Sequence, residues 1–315
     1  MPTGSECVVA VDVGGTNLKG ALVDRRGRTH AQERRPTQTD AGPRAAIEAV
    51  LALGGDLARH EPRPVAVGLA VPGLVDESAG TVRNAANLHW RDVPIGPLAE
   101  QRLGVAVTIS HDVRAAALAE GLLGAARDAT DYLLITLGTG VGGAVVIGGR
   151  PYSGAHGIGG ELGHIAVEPR GPMCACGRQG CLETFASASH IAQRYLEMTG
   201  DESDDLDAEQ VSKRAAAGDP LADAVWSQAL DALAIAIANY ATLLDPEMVV
   251  IGGGMAADDN LFDSLRHRLR AHMRFGDPPA VVPAVLGREA GRLGAAIAAW
   301  RVAGIDESEF ASWAT

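Results

Sequence analysis

The stretch HIAVEPRGPMCACGRQGCLE, residues 164–183, holds three of the four cysteines of the chain. After His164, nine residues lead to Cys174, and Cys176 and Cys181 follow closely. Imidazole and thiolate groups are the donors that bind zinc, whereas paired thiols could instead form a disulfide. The spacing alone therefore predicts either a metal site or a disulfide-linked loop.

Two glycine-rich turns follow apolar segments and are candidates for phosphate binding. VDVGGTNLKGALV (11–23) and ITLGTGVGGAVVI (135–147) both have the pattern strand, Gly/Thr turn, strand. Small residues in a turn let backbone N–H groups converge on a phosphate, and Thr16 and Thr139 add hydroxyl donors. The alternative is a pair of ordinary hairpin turns that need positive φ. The resemblance of the two units suggests two related halves, although such short echoes also arise by chance.

Other phosphate-binding patterns fit less well. No G-x-x-x-x-G-K-[ST] sequence occurs, which excludes a P-loop. Gly138, Gly140 and Gly143 have the G-x-G-x-x-G spacing, but the chain continues as a strand rather than a helix. A third glycine turn, Gly252–Gly254, could receive the flat adenine and ribose where a side chain would clash.

Two aspartates stand at the ends of predicted strands. Asp12 lies in a valine-rich strand just before the first glycine turn, where an acid needs a charged partner. A hydrated Mg²⁺ carried by the phosphates of ATP would be such a partner. Asp112 follows another strand and opens a helix, so it is either a helix N-cap or a general base that takes a proton from a sugar hydroxyl.

Composition defines the setting of these residues. The net charge of −12 argues against a protein that binds nucleic-acid phosphates. No signal peptide is recognisable at the N-terminus, and the uncharged stretch 132–149 reads as a buried glycine-rich hairpin rather than a membrane span. We therefore expect a cytoplasmic protein. Thiols stay reduced in that compartment, which favours a metal over a disulfide for the cysteine cluster.

Alternating strands and helices predict an α/β protein. Strands are expected at 7–13, 17–24, 65–71, 105–110 and 247–254. Helices are expected at 41–60, from Asp112 onward, at 221–244 and at 291–303. Pro72 and Gly73 stop one of these strands.

The motifs taken together resemble the ROK family, which groups bacterial sugar kinases, glucokinases among them, with sugar-responsive repressors. The segments that carry the resemblance are DVGGTNLKG, GLAVPG, HDVRAAALAE, LGTGVGGA, GIGGELGHI, CACGRQGCLE and VVIGGG, in the family's order. The resemblance implies a two-domain actin-like ATPase (ribonuclease H-like) fold with an interdomain active-site cleft. A smaller domain is expected over 1–114 plus 290–315, closed by the C-terminal helix. The larger one is expected over 115–289, with the zinc-binding loop.

The resemblance also implies roles for particular residues. Asp112 falls on the family's catalytic base. The first phosphate loop would comprise Asp12, Gly14, Gly15, Thr16 and Lys19, and the second Gly138, Thr139, Gly140 and Gly142. Gly253 and Gly254 would lie by the adenosine. The sugar would be held by Asn87, Asp112, Glu161, His164 and Glu183, with Pro72 and Gly73 lining the pocket. His164, Cys174, Cys176 and Cys181 would bind a structural zinc that shapes this pocket.

One segment departs from the family pattern. Where an Asn usually precedes the catalytic aspartate and bonds the sugar, this chain has His111, and Arg114 stands where a small residue or Asn is common. His111 can still donate and accept a hydrogen bond, so it stays a candidate sugar ligand. The departure concerns the identity of the sugar more than the reaction.

The predicted activity is ATP- and Mg²⁺-dependent phosphorylation of a hexose, with glucose at its 6-hydroxyl as the first expectation. The alternatives are a related sugar, such as N-acetylglucosamine, N-acetylmannosamine, mannose, fructose or allose, and a sugar sensor that does not bind DNA. A repressor would carry an additional N-terminal helix-turn-helix module, for which the predicted first strand leaves no room. A homodimer or homotetramer is expected from the resemblance, and polyphosphate stays open as a phosphoryl donor.

Overall fold

The structure, a computed structural model, describes residues 6–200 and 206–313. The strands are β1 (Cys7–Val13), β2 (Asn17–Asp24), β3 (Thr29–Pro36), β4 (Pro64–Val71), β5 (Leu74–Asp76), β6 (Thr81–Ala85), β7 (Trp90–Val93), β8 (Ala106–His111), β9 (Tyr132–Leu137), β10 (Val141–Ile147), β11 (Arg150–Pro151), β12 (Met248–Gly252) and β13 (Ala280–Pro283). The α-helices are α1 (Pro43–Ala58), α2 (Ile95–Leu103), α3 (Asp112–Leu123), α4 (Glu183–Ala186), α5 (Ala188–Thr199), α6 (Ala208–Ala216), α7 (Pro220–Leu244), α8 (Asp259–His272) and α9 (Ala290–Val302). These elements confirm the predicted α/β class and each predicted strand and helix to within a few residues.

The chain divides into two compact units. The first comprises Met1–Asp128, Arg150–Gly159 and Arg288–Thr315, and the second comprises Ala129–Gly149 and Gly160–Gly287. The division differs from the predicted boundary after residue 114, because α3 packs along α9 and stays with the first unit.

The main sheet of the first unit brings three strand ends to one edge. Its order is β3-β2-β1-β4-β8, with β1, β4 and β8 parallel and β1–β2–β3 antiparallel. Asp12 pairs with Ala70, and Ala70 pairs with Ser110. The carboxyl ends of the parallel strands are where open α/β sheets place their ligands. Asp12 and Asp112 therefore lie at the same edge of this sheet, where ligands are expected to bind.

Both faces of the central strand β1 are buried over most of its length. Val9 and Val11 of β1 belong to the core that includes Leu53 and Leu57 of α1, and Val8 and Ala10 on the other face are also inaccessible. Helix α9 covers β1, β4 and β8. The approach is so close that a Cβ on Gly68 would lie 2.0 Å from the carbonyl oxygen of Ala295. Only glycine fits at that position of β4.

The second unit contains the hairpin β9–β10, in which Leu137 pairs with Val141, and the parallel strands β12 and β13 beside β9. Its core includes Trp226, Leu233 and Ile237 of α7. Among the described residues, α7 is the one helix with the length and hydropathy of a membrane span, and 61% of its most apolar window is buried. This burial is typical of a core helix.

Candidate functional site

Asp12 is held at the end of β1 by an ion pair across the β1–β2 hairpin. Nζ of Lys19 lies 3.2 Å from Oδ2 of Asp12 and also donates a hydrogen bond to the carbonyl oxygen of Arg288 (3.1 Å). Burial raises the pKa of Asp12, and the neighbouring carboxylates Asp112 and Glu289 raise it further, whereas Lys19 lowers it. The site thus concentrates negative charge that a cation would neutralise.

Asp112 is the first residue of α3, and its carboxylate is fixed through one oxygen. Oδ1 accepts a hydrogen bond from the backbone N–H of Val113 (2.7 Å), and Nε2 of His111 lies 3.3 Å from the same oxygen. Burial raises the pKa of Asp112, against the backbone hydrogen bond and the charge of Arg114. The side chain is still 31% exposed, so a substrate can reach it. The N-cap prediction is wrong in detail, since the N-cap position is His111.

An ion pair between a buried arginine and an exposed glutamate anchors the segment that carries this acid. Arg114 is 2% exposed, and its Nε donates to Oε1 of Glu77 (3.0 Å). The same oxygen accepts the backbone N–H of His111 (3.0 Å). Nη1 of Arg114 donates to the carbonyl oxygens of Gly157 (3.2 Å) and Gly159 (3.4 Å). Arg114 therefore fixes the start of α3 to residues 157–159.

The first glycine turn is closed by backbone contacts and faces Asn87. The N–H of Gly14 donates to the carbonyl oxygen of Asn17 (3.0 Å), and Thr16 is exposed at the tip. A Cβ on Gly15 would lie 3.4 Å from the side chain of Asn87. The structure thus brings the predicted sugar ligand Asn87 to the predicted phosphate turn.

Pro72 and Gly73 leave the same sheet edge at the end of β4. Gly73 has φ +93°, and a Cβ there would lie 2.2 Å from the carbonyl oxygen of Asn84. Glycine is required for both reasons. The tight turn sends the chain from β4 directly into β5.

In the second unit, Glu183 touches the second glycine turn. Its Oε2 accepts the backbone N–H of Val141 (2.9 Å), and a Cβ on Gly140 would lie 2.6 Å from that oxygen. Gly138 closes the turn by donating to the carbonyl oxygen of Gly140 (3.0 Å), and Thr139 is exposed. Gly142 lies inside β10, paired with Thr136. The turn itself therefore comprises residues 138–140.

The segment that carries Glu161 and His164 packs directly on the backbone of β10. A Cβ on Gly163 would lie 2.1 Å from the carbonyl oxygen of Val141, and a Cβ on Gly143 would lie 2.4 Å from Cγ of Leu162. Glu161 is exposed and His164 is half-buried, at the two ends of a short 3₁₀ turn over Leu162–His164. The glycines set the position of both polar side chains.

His164, Cys174, Cys176 and Cys181 form one cluster, in which all four donor atoms lie within 4.8 Å of one another. Sγ of Cys176 is 3.7 Å from Sγ of Cys181, and Sγ of Cys174 is 3.6 Å from Nδ1 of His164. Two thiolates on a tetrahedral zinc, each about 2.3 Å from the metal, lie about 3.8 Å apart. The residues present therefore fit zinc. Nδ1 is the ring nitrogen on the cluster side, which leaves Nε2 of His164 for another partner.

A cavity of about 480 Å³ lies in the second unit beside the glycine turn. It is lined by Gly138 and Thr139 of the turn, by Gly254 after β12, and by Ser212 and Lys213 of α6. Gly253, with φ +87°, makes the turn that leads into it, and a Cβ there would lie 2.2 Å from the carbonyl oxygen of Leu137. Residues that separate motifs predict to contact the phosphates and the adenosine thus line the same cavity.

Several residues at these sites were not identified from the sequence. Glu77 and Glu289 belong to no recognisable motif. Only the fold brings Glu77 to Arg114 and places Glu289 near enough to Asp12 to raise its pKa. The polar lining of the cavity by α6 could not be found either, because Ser212 and Lys213 lie in an ordinary amphipathic helix. The one sequence signal that could have identified Glu77 is its position as an acidic residue directly after a strand.

Comparison with known proteins agrees with this geometry. The sequence model of the ROK family matches residues 8–301. The glucokinase of Halalkalibacterium halodurans is 36% identical, over 91% of this chain and 92% of the relative. The crystal structure of a ROK hexokinase from Thermus thermophilus superposes with a TM-score of 0.84 at 35% identity, covering 95% of this chain and 99% of that one. A ROK family glucokinase from Streptomyces griseus, solved in complex with glucose and AMPPNP, gives 0.79 at 32% identity, covering 94% and 99%.

These matches extend over nearly the whole chain and include both described units. They also establish the actin-like sugar-kinase fold that the motifs predict. The chain belongs to the ROK family.

Proposed function

We propose that this protein is an ATP-dependent sugar kinase that phosphorylates glucose at the 6-hydroxyl. The observation that carries the proposal is Asp112, an accessible carboxylate at the edge of the sheet where Asp12 and the first glycine turn also lie. The glucokinase from Halalkalibacterium halodurans and the Streptomyces griseus complex with glucose and AMPPNP support the substrate pair.

Asp112 is proposed as the general base. As the sugar oxygen attacks the γ-phosphorus, its O–H bond breaks and the proton passes to the carboxylate, while the bond to the leaving ADP oxygen breaks. Phosphoryl transfer depends chiefly on positioning and charge stabilisation. Asp112 fits the task because its carboxylate is fixed at Oδ1 and still open to a substrate.

The glycine turns are proposed to bind the phosphates of MgATP. Gly15 and Thr16 of the first turn and Thr139 and Gly140 of the second are proposed to present backbone and hydroxyl donors, with Gly14 and Gly138 closing the turns through their N–H groups. Asp12 is proposed to face the magnesium that enters with ATP, with Lys19 neutralising the carboxylate in its absence. Gly253 and Gly254 are proposed to border the adenosine, since Gly254 lines the cavity next to Thr139.

The sugar hydroxyls are proposed to be bound by Asn87, Glu161, His164 and Glu183 together with Asp112, and Pro72 and Gly73 are proposed to line the pocket. Zinc at the His164–cysteine cluster would supply rigidity and no chemistry of reaction. By holding Nδ1 of His164, it would aim Nε2 at the sugar. A cytoplasmic location and a homodimer or homotetramer are part of the same proposal.

The test is coupled ADP release from MgATP across glucose, mannose, N-acetylglucosamine, N-acetylmannosamine, fructose and allose, with polyphosphate as a second donor. Glucose is expected to give the highest kcat/KM. Turnover with another sugar alone would reassign the substrate while keeping the reaction class. Lack of turnover with every sugar and both donors, from folded and zinc-loaded protein, would refute the kinase.

A further inference from the structure

We propose that His111 is a positioning residue for Asp112, whose side chain donates a hydrogen bond from Nε2 to Oδ1 and thereby selects Oδ2 as the oxygen that receives the proton of the sugar. The inference rests on the proposed kinase function. It assigns to His111 a task different from the sugar contact that the family resemblance implies at this position.

The geometry distinguishes the two oxygens of the carboxylate. Oδ1 of Asp112 has two neighbours that can donate, the N–H of Val113 at 2.7 Å and Nε2 of His111 at 3.3 Å. An oxygen that accepts one hydrogen bond and lies against a second donor is a weaker base than the other oxygen of the same group. The proton from the sugar hydroxyl therefore goes to Oδ2, while both donors keep their protons.

The chemistry of the pair also fixes the state of the ring. An ionised carboxylate only accepts hydrogen bonds, so Nε2 must carry the hydrogen whether the ring is neutral or charged. The carboxylate cannot rotate freely about its terminal bond while both donors hold Oδ1. Asp112 is thus kept in one orientation before the substrate arrives, which is how a positioned base gains rate.

The fold holds His111 firmly enough for this task. The residue is 7% exposed, and its backbone N–H donates to Oε1 of Glu77, which also accepts Nε of Arg114. Asp112 contacts the ring itself, and the other charged groups around it are Glu77, which accepts the His111 backbone N–H, Arg114, which pairs with Glu77, and Asp12, whose pKa Asp112 raises. The ring therefore lies between an anchored backbone and the carboxylate.

Two substitutions separate the hydrogen bond from simple packing. His111→Gln places an amide nitrogen at the same number of bonds from Cβ as Nε2, so it keeps a donor. His111→Leu fills similar space without one. The measurement is kcat against pH with the best sugar, together with sugar affinity by calorimetry as a check that each variant is folded.

We expect the Leu variant to lose at least about tenfold in kcat and its acid limb to move up by about one pH unit, because the ionised base loses a stabilising donor. The Gln variant is expected to stay within about threefold of wild type. Equal losses in both variants, or a Leu variant with the kcat and acid limb of wild type, would overturn the inference while leaving the kinase assignment intact.

A second readout does not depend on turnover. The ring ¹⁵N chemical shifts of His111 at about pH 8 report which nitrogen carries the hydrogen. A protonated Nε2 is expected, and a hydrogen on Nδ1 alone would refute the contact. If wild-type protein phosphorylated no sugar, the proposed function would fail, and the ring shifts would still decide whether His111 donates to Asp112.

Discussion

Arg114 is predicted to be the most important ion-pair residue for the stability of the first unit, and Arg114→Met tests this. The substitution retains a long apolar side chain and removes all donors. It deletes the ion pair with Glu77 at 3.0 Å and the hydrogen bonds to the carbonyl oxygens of Gly157 and Gly159. Arg114 is 2% exposed, whereas Glu77 is exposed and Gly157 and Gly159 are half-buried.

The expected magnitude follows from that burial. Breaking a buried ion pair by removing one partner costs about 3–5 kcal/mol. Glu77 is 36% exposed and regains part of its hydration, which favours the low end. We therefore expect the free energy of unfolding to fall by about 3 kcal/mol.

Urea unfolding followed by tryptophan fluorescence is a suitable assay. Trp90, Trp300 and Trp313 all lie in the first unit, against Trp226 in the second, so the signal reports mainly the unit in question. Arg83→Met is the matched control, since Arg83 donates to Asp76 at 2.9 Å but is 50% exposed. The control is expected to lose less than about 1 kcal/mol. Equal losses in the two variants would refute the argument from burial.

Further predictions concern the base, the zinc cluster and a glycine contact. Asp112→Asn should lower kcat at least about a hundredfold while glucose still binds in calorimetry, and near-normal turnover would remove the base role. The same variant should be more stable than wild type at neutral pH. Because the folded pKa of Asp112 lies above its ordinary 3.8, stability from this group is present below that value and lost as pH rises through the folded pKa. The stability difference in urea melts should therefore vanish below about pH 3. Cys174→Ser should abolish a zinc content of about one per chain in metal analysis and weaken glucose binding, whereas Met173→Ala, at an exposed neighbour, should change neither. Gly143→Ala should raise the KM for glucose several-fold, about tenfold at most, because the new Cβ displaces Leu162; an unchanged KM would show that the segment can adapt.

Much of the site could be predicted from local sequence. The glycine turns, the strand that contains Asp12 and the helix that begins at Asp112 each have a signature within a dozen residues. The cysteine cluster could also be predicted, because its four metal-binding residues lie within a single short segment of the sequence. In each case the chemistry and the turn that positions it come from the same short segment.

Contacts between distant segments could not be read in this way. Arg114 meets Glu77 across 37 positions of sequence, and Lys19 meets the carbonyl oxygen of Arg288 across 269. No periodicity of the sequence indicates such pairings, because they form only when the fold brings distant segments together. The return of residues 150–159 to the first unit was missed for the same reason.

The close packing of α9 on the main sheet and α3 of its own unit has a consequence for synthesis on the ribosome. Gly68 of β4 and Gly294 of α9 allow backbone-to-backbone contact, with a Cβ on Gly294 placed 1.9 Å from the carbonyl oxygen of Ala115. A nascent chain has made β1, β4, β8 and α3 long before residue 290 emerges, and until then one apolar face of that sheet is uncovered. The second unit lies almost entirely between these two stretches and can complete its core first. Helix α9 therefore closes the first unit only after the second unit has been translated, so the aspartate edge matures late in synthesis.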